Sequence, residues 1–349
     1  MGLIRLIVWG RIAVLMGEIF HNFADAEPLA RAELDRSGLS SIFDRYDWFA
    51  RTQAQCPIAG MPLIARASNE GADIWLFLAA DSRGRAKGLT SWYTLAFRPV
   101  FKGNPSAALR AELLTKVAHQ LRGHITSIEL APMRGDDCFA TASAFESAGW
   151  IAVRNETGCN WTVNVKNKSF AEYWAARPGQ LRKTVKSKRN KANMQIEIIS
   201  QFNSKLWDEY QDIYENSWKP EEGAAGFLRC MAQTEGDANT LRLGIGRIGG
   251  VAIAAQLWTC ENGTAIAHKV AHRQSAAEFS PGTLLSAAMF EHVIDIDNVD
   301  CIDFGTGDNS YKTAWMEQRT PLYTLSLFNK NSAGAMLRAA KAKTQAALF

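Results

Sequence analysis

The chain has 349 residues, 47% of them hydrophobic and 21% charged, with a formal net charge of +4 at pH 7. That length exceeds one ordinary core and fits two domains of about 150 residues each, and the composition excludes a disordered chain and a membrane-embedded one. The charge is too mild to coat a polyanion, so anion binding has to come from a local cluster, and the six singly placed cysteines point to a reduced cytoplasmic protein without a structural zinc.

The lead-in MGLIRLIVWGRIAVLMGEIF (1–20) is apolar but carries Arg5 and Arg11, so no transmembrane span is expected; it reads as an amphipathic lead-in or an upstream start, with an export signal as the other reading. PLIARA (62–67), DIWLFLAAD (73–81) and KGLTSWYTLAF (87–97) read as strands, the last two turned into a hairpin by DSRGR. A helix over 104–121, the strand ITSIELAPM, a helix over 137–149 and the strand WIAVRNETGCNWTV follow. The order is that of a mixed α/β layer.

Beyond a basic stretch at 180–193, NTLRLGIGR and VAIAAQLWTCE form a hairpin about Gly249 and Gly250, and GTAIAHKVAH adds a third strand. A helix from Ser280, the strand VDCIDFG, a short helix over NSYKTAWMEQ and the strand PLYTLSLF complete the second half. The repeated order reads as a tandem duplication. It divides the chain into a lead-in (1–20), an N-terminal unit (21–165), a C-terminal unit (166–330) and a basic helical tail (331–349) without an evident partner.

GIGRIGG (244–250) has the spacing of a dinucleotide fingerprint, but a strand follows where that fingerprint needs a helix, so a hairpin turn is expected. His268 and His272, at an even separation, are expected on one face of a strand. No third ligand accompanies them, so no metal is expected and His268 is a candidate general base. The stretch QLRKTVKSKRNKAN, containing Lys186 and Arg189, reads as a solvated helix face, a contact for an anionic substrate or carrier protein, or a nucleic-acid contact; no base-reading module supports the last.

In IDFGTGDNSYKTAW, Asp303 ends a strand, Gly305 and Gly307 make the exit, Asp308 or Asn309 caps a helix, and Tyr311 and Lys312 sit in its first turn. Open α/β sheets place their sites at such strand ends. Ser280 reads as an N-cap and Pro281 as a first helical residue, which makes Gly282 unexpected unless an anion approaches the bare backbone there. In the corresponding stretch of the first half, NPSAALRAELL, Ser106 takes the place of that glycine.

The basic helix, YENSW, the GRIGGVAIAAQLW hairpin, SPGTLL and DFGTGDNSYKTAW together resemble the acetyltransferase domain of GNAT-superfamily proteins of the CelD/BcsL type, which are related to Fem-type aminoacyl transferases. The resemblance covers roughly 169–328 and implies two tandem GNAT-like folds, each a mixed twisted sheet flanked by helices. It implies transfer of an acyl group from a thioester, acyl-CoA as co-substrate or an acyl carrier protein, to a small-molecule or glycan amine, in polysaccharide or cell-envelope metabolism and at most peripheral to the inner membrane. The donor's phosphates then meet Ser280, Gly282, Thr283 and Lys312, although HRQSAAEFSPG has one glycine where the superfamily loop is Gly-rich. Asp303 is the first choice for base, His268 the second, and Tyr311 the acid, with Trp218, Lys186 and Arg189 towards substrate. Charged tRNA as donor, or a non-catalytic binding module, are the alternatives.

Overall fold

The computed structural model describes residues 17–346, so nearly all of the apolar lead-in lies outside the described residues. The first half runs β1 (Glu18–Phe20), α1 (Phe23–Glu33), α2 (Tyr46–Gln55), β2 (Met61–Asn69), β3 (Ala72–Ala80), β4 (Arg85–Gly88), β5 (Val100–Lys102), α3 (Ala107–Leu121), β6 (Ser127–Arg134), α4 (Gly135–Ser147) and β7 (Trp150–Asn164). Helices α5 (Phe170–Ala175) and α6 (Gly179–Ala192) lead to β8 (Gln195–Ile199), α7 (Ser204–Glu215), α8 (Ala225–Asp237), β9 (Leu241–Ile248), β10 (Val251–Glu261), β11 (Thr264–His272), α9 (Pro281–Asp295), β12 (Cys301–Thr306), β13 (Gln318–Asn329) and α10 (Ala333–Ala346).

These strands form one mixed sheet in the order β1-β2-β3-β4-β6-β13-β7-β12-β11-β10-β9-β8, with β5 on β3. Both halves run strand, two helices, three strands, helix, strand and strand, apart from β5 and α4, and each holds one parallel pair, β4 with β6 and β11 with β12. Their last strands are exchanged: β13 lies between β6 and β7, and β7 pairs with β12. The sheet therefore continues across the expected boundary near residue 166. Helices cover both faces, which is why β3 and β10 read as near-continuous apolar runs.

Four local expectations change. The strand expected over 87–97 stops at Gly88, because the Ser91 N–H donates to the Thr94 hydroxyl and the chain turns; Ser and Thr side chains offer the backbone such alternatives to a ladder. The helix expected over 309–318 is one 3-10 turn, Ser310–Ala314, which neither Asp308 nor Asn309 caps with its side chain; Asp308 pairs with Arg319. Strand β12 runs on to Thr306, so Asp303 lies mid-strand. The tail helix has a partner after all: Ala335 and Ala339 pack on Val153 and Phe328.

The glycines of GIGRIGG serve packing. A Cβ on Gly244 would stand 2.6 Å from the Met289 sulfur of α9, and one on Gly246 2.9 Å from that of Met194, while Gly249 and Gly250 take positive φ in the β9–β10 turn. Bare backbone lets α9 lie close on β9, and Gln256, fully buried on β10, donates to the Ser286 hydroxyl and the Gly282 carbonyl, fixing the first turn of α9. All six cysteines are unpaired, and among the described residues no helix is long and apolar enough to cross a membrane.

Candidate active site

Strands β11 and β12 pair only over Thr264–Ile266 and Cys301–Asp303 and then part, so among the described residues the β12-facing edge of β11 has no strand partner from Ala267 onward. At the parting lies a cavity of about 240 Å³ lined by Tyr93, Tyr214, Lys219, His268, Lys269, Phe304, Tyr311 and Lys312 among others. A second cavity, about 230 Å³, lies by the paired end and is lined by Phe43, Asp44, Arg98, Arg134, Asp137, Thr259, Glu261 and Asp303.

A β-bulge decides what faces each cavity. Leu257 pairs with Lys269 and Trp258 with Ala267, so His268 is the extra residue on β11. Residues 265 and 267 pack in the core under α9, yet beyond the bulge it is Val270 that does so, while Ala271 belongs to the core on the opposite side. His268 and His272 therefore point to opposite faces, contrary to the even-spacing expectation. His268 shares a hydrogen bond with the Thr259 hydroxyl (2.8 Å) beside Phe43, and His272 turns towards Gly282 at the start of α9. Burial pulls the His268 imidazole down to about 4, so at neutral pH it is uncharged and a weak base.

Asp303, buried, accepts from the Asn160 amide (3.0 Å to each oxygen), the Gly305 N–H (2.9 Å) and Arg134 (3.2 Å). The donors hold the carboxylate against the second cavity. Lys312 is also buried, and its ammonium donates to the Gly305 and Thr306 carbonyls (3.0 and 2.6 Å); burial lowers it to about 8. Tyr311, half exposed, sets its ring edge on Phe304, and burial raises its phenol. Tyr311, Lys312 and His268 thus share one cavity, and Asp303 faces the other.

At the mouth of α9, Ser280 adopts a left-handed conformation and its side chain caps nothing, contrary to the N-cap expectation. In the first half Ser106 is itself the cap of α3, accepting from the Leu109 N–H, so it does not stand in the place of Gly282. The uncapped N–H groups of Gly282 and Thr283 lie at the positive end of a 15-residue helix. The space a Gly282 side chain would take is bordered by His272, whose Nδ1 would be 3.1 Å from a Cβ and has no hydrogen-bond partner among the described residues; its ring lies 4.4 Å from that of Trp218. Lys186 and Arg189 are on the exposed side of α6, where Lys188 donates to the Glu278 carbonyl of the loop before α9.

Sequence reading passed over the group beside Tyr311. Lys269 lies 3.0 Å from both oxygens of Glu222 and over the rings of Tyr93 and Tyr214, and Tyr93 donates to Glu222 at 2.7 Å. A lysine inside an otherwise apolar strand was the available signal, since lysine is almost never buried unpaired. Glu222 and Tyr93 gave none, because both sit in loops that only the tertiary fold brings to the cleft.

Residues 179–313 match the family described as acetyltransferase (GNAT) domain. The second half of the chain carries a GNAT acetyltransferase domain. The parted strands and the uncapped central helix belong to that domain, and the first half supplies Tyr93 and the loop before it to its cleft. Over most of its length the chain shares the fold of FemX, at 8% identity and a TM-score of 0.61, covering 88% of this chain and 96% of that one. A conserved protein of unknown function from Bacteroides thetaiotaomicron gives 12% identity and a TM-score of 0.54, with 90% and 100% covered. L-PGS from Bacillus licheniformis gives 11% and 0.51, with 78% and 85% covered. At these identities the likeness is one of fold. Among curated proteins, no sequence matches this chain.

Proposed function

We propose that the protein is an N-acyltransferase that moves an acyl group from a thioester, acyl-CoA or an acyl carrier protein, to an amine. The observation that carries this reading is the parting of β11 from β12, which leaves a cavity between them, while His272 at the end of β11 lies against the uncapped start of α9. Donor phosphates fit the N–H groups of Gly282 and Thr283, and the basic helix α6, which touches the loop before α9 through Lys188, adds positive charge on that side. The α9 mouth suits an anion although the loop before it lacks the Gly-rich pattern.

The free N–H groups of β11 suit the thioester carbonyl, whose oxygen gains negative charge as the amine adds. The amine approaches from the Asp303 side, and Asp303 takes the ammonium proton as the nitrogen becomes nucleophilic. As the carbon–sulfur bond breaks, Tyr311 gives its proton to the leaving thiolate, and the second proton shed by the acylated nitrogen restores the phenol. His268, uncharged and bonded to Thr259, positions the seam between the two cavities and serves poorly as the base.

Purified protein is expected to be stabilised against heat by acyl-CoAs and to release free CoA when an amine is supplied. Gly282→Val is expected to abolish that stabilisation while lowering the melting temperature of the free protein only modestly, through a clash with His272 costing about 1–3 kcal/mol. Equal loss of both would return Gly282 to a packing role. The exposed basic residues of α6 favour charged tRNA as a second reading, which predicts no stabilisation by any acyl-CoA and salt-sensitive binding of tRNA. Absence of turnover with every donor would leave a binding module.

A further inference from the structure

The cleft does not end at Tyr93. A groove of about 570 Å³, lined by Cys56, Ile58, Trp92, Tyr93, Pro220 and Ala224 among others, shares Trp92, Tyr93 and Pro220 with the cavity at the strand parting, so the two adjoin across those side chains. Its walls are three loops, two from the first half and one from the second. Trp92, 79% exposed, offers its indole to both spaces with little packed against it. Large apolar side chains left bare at the rim of a groove mark surfaces that something covers.

We infer that this groove holds the acyl chain of the donor, making the enzyme selective for medium or long acyl groups over acetyl. The inference rests on the thioester lying at the parting of β11 and β12. From there two ways lead on. The cavity containing Asp303, Arg98, Arg134, Asp44 and Asp137 is charged, and suits a polar amine rather than a hydrocarbon. The other way, past Tyr93 and Trp92, is lined mainly by apolar atoms, where each methylene leaves water with a gain. The chemistry is that of the parent reaction: the amine–carbon bond forms, the carbon–sulfur bond breaks, and the chain leaves with the product.

Gly223 provides the test, because it lines the groove and a Cβ placed on it meets nothing within 4 Å, so a larger residue can be added without disturbing the fold. Wild type is expected to use decanoyl-CoA at least about tenfold better than acetyl-CoA in kcat/KM, and to bind decyl-CoA thioether more tightly than ethyl-CoA thioether by a similar factor. Gly223→Phe is expected to lose about tenfold with decanoyl-CoA while acetyl transfer stays within about twofold. Equal use of both donors by wild type, or the same chain-length profile in Gly223→Phe, would overturn the acyl groove and leave the acyltransferase reading standing. No binding and no turnover with any CoA thioester or acyl carrier protein thioester would overturn both.

Discussion

Asp303→Asn is expected to lower kcat for acyl transfer by about 10²–10⁴-fold, the usual span for removing a positioned general base. The carboxylate lies on the face of β12 away from α9, where it accepts from Asn160, Gly305 and Arg134. An asparagine keeps the shape but has only one accepting oxygen, and its own amide has to face one of the three donors. Leaving a buried donor unpaired costs about 1–3 kcal/mol of stability. The two losses are separable: steady-state kinetics with saturating donor and acceptor report kcat, and urea unfolding reports stability. A variant with normal turnover and lowered stability would show Asp303 to be a brace between β7, β12 and the Gly305 turn, with no part in the chemistry.

The second large effect is expected at Lys312. Its ammonium is the donor to the Gly305 and Thr306 carbonyls, so Lys312→Met leaves both without that partner and is expected to cost about 1–3 kcal/mol at pH 7. Loosening the end of β12, which forms one wall of the cleft, is expected to cost about 10²-fold in kcat/KM, the effect of small misplacements on a reacting geometry. The dependence on pH has a definite sign. Burial holds the folded amine at about 8 against an ordinary 10.5. Below about 8 the amine is charged in both states and the cost of burying it is fully present. Between about 8 and 10.5 the unfolded chain binds the extra proton, so this group makes the fold more stable as pH rises, by at most about 3 kcal/mol. Urea unfolding of wild type and Lys312→Met from about pH 7 to about pH 10 checks it: the stability difference between them should widen in favour of wild type across that range. A constant difference would place the amine at its ordinary value.

Much of the architecture was legible in the chain. The apolar runs and turn residues of 61–80 and 239–272 marked the strands, because strands covered on both faces are apolar almost throughout and glycines accept the positive φ of tight turns. The repeated order of elements recurs as the like order of strands and helices in the two halves of the sheet. The exchange of β7 and β13 between the halves was not legible, since nothing local distinguishes a strand that closes its own unit from one that closes its neighbour's. The stretch 89–97 misled because threonine and aromatics favour strands on average, whereas here side-chain bonds to the backbone turn the chain and carry Trp92 and Tyr93 to the cleft.

The sequence by itself marked the candidate residues on β11 and on and after β12, and the helix that opens at Pro281, because strand patterns, glycine turns and a proline at the first helical position act within a few residues. Tyr311, Lys312 and His268 were all found that way, and they do share one cavity. Only the tertiary structure decided which faces they present. One extra residue in β11 turns His268 and His272 to opposite faces, and a period-two pattern cannot register an insertion that only the partner strand reveals. Only the fold, too, brings Lys269 to Glu222 and Tyr93, and sets His272 where a side chain on Gly282 would go. Those contacts join residues tens to more than a hundred positions apart, or with other elements between them, and pairing at such range is settled by packing, on which local propensity has no hold.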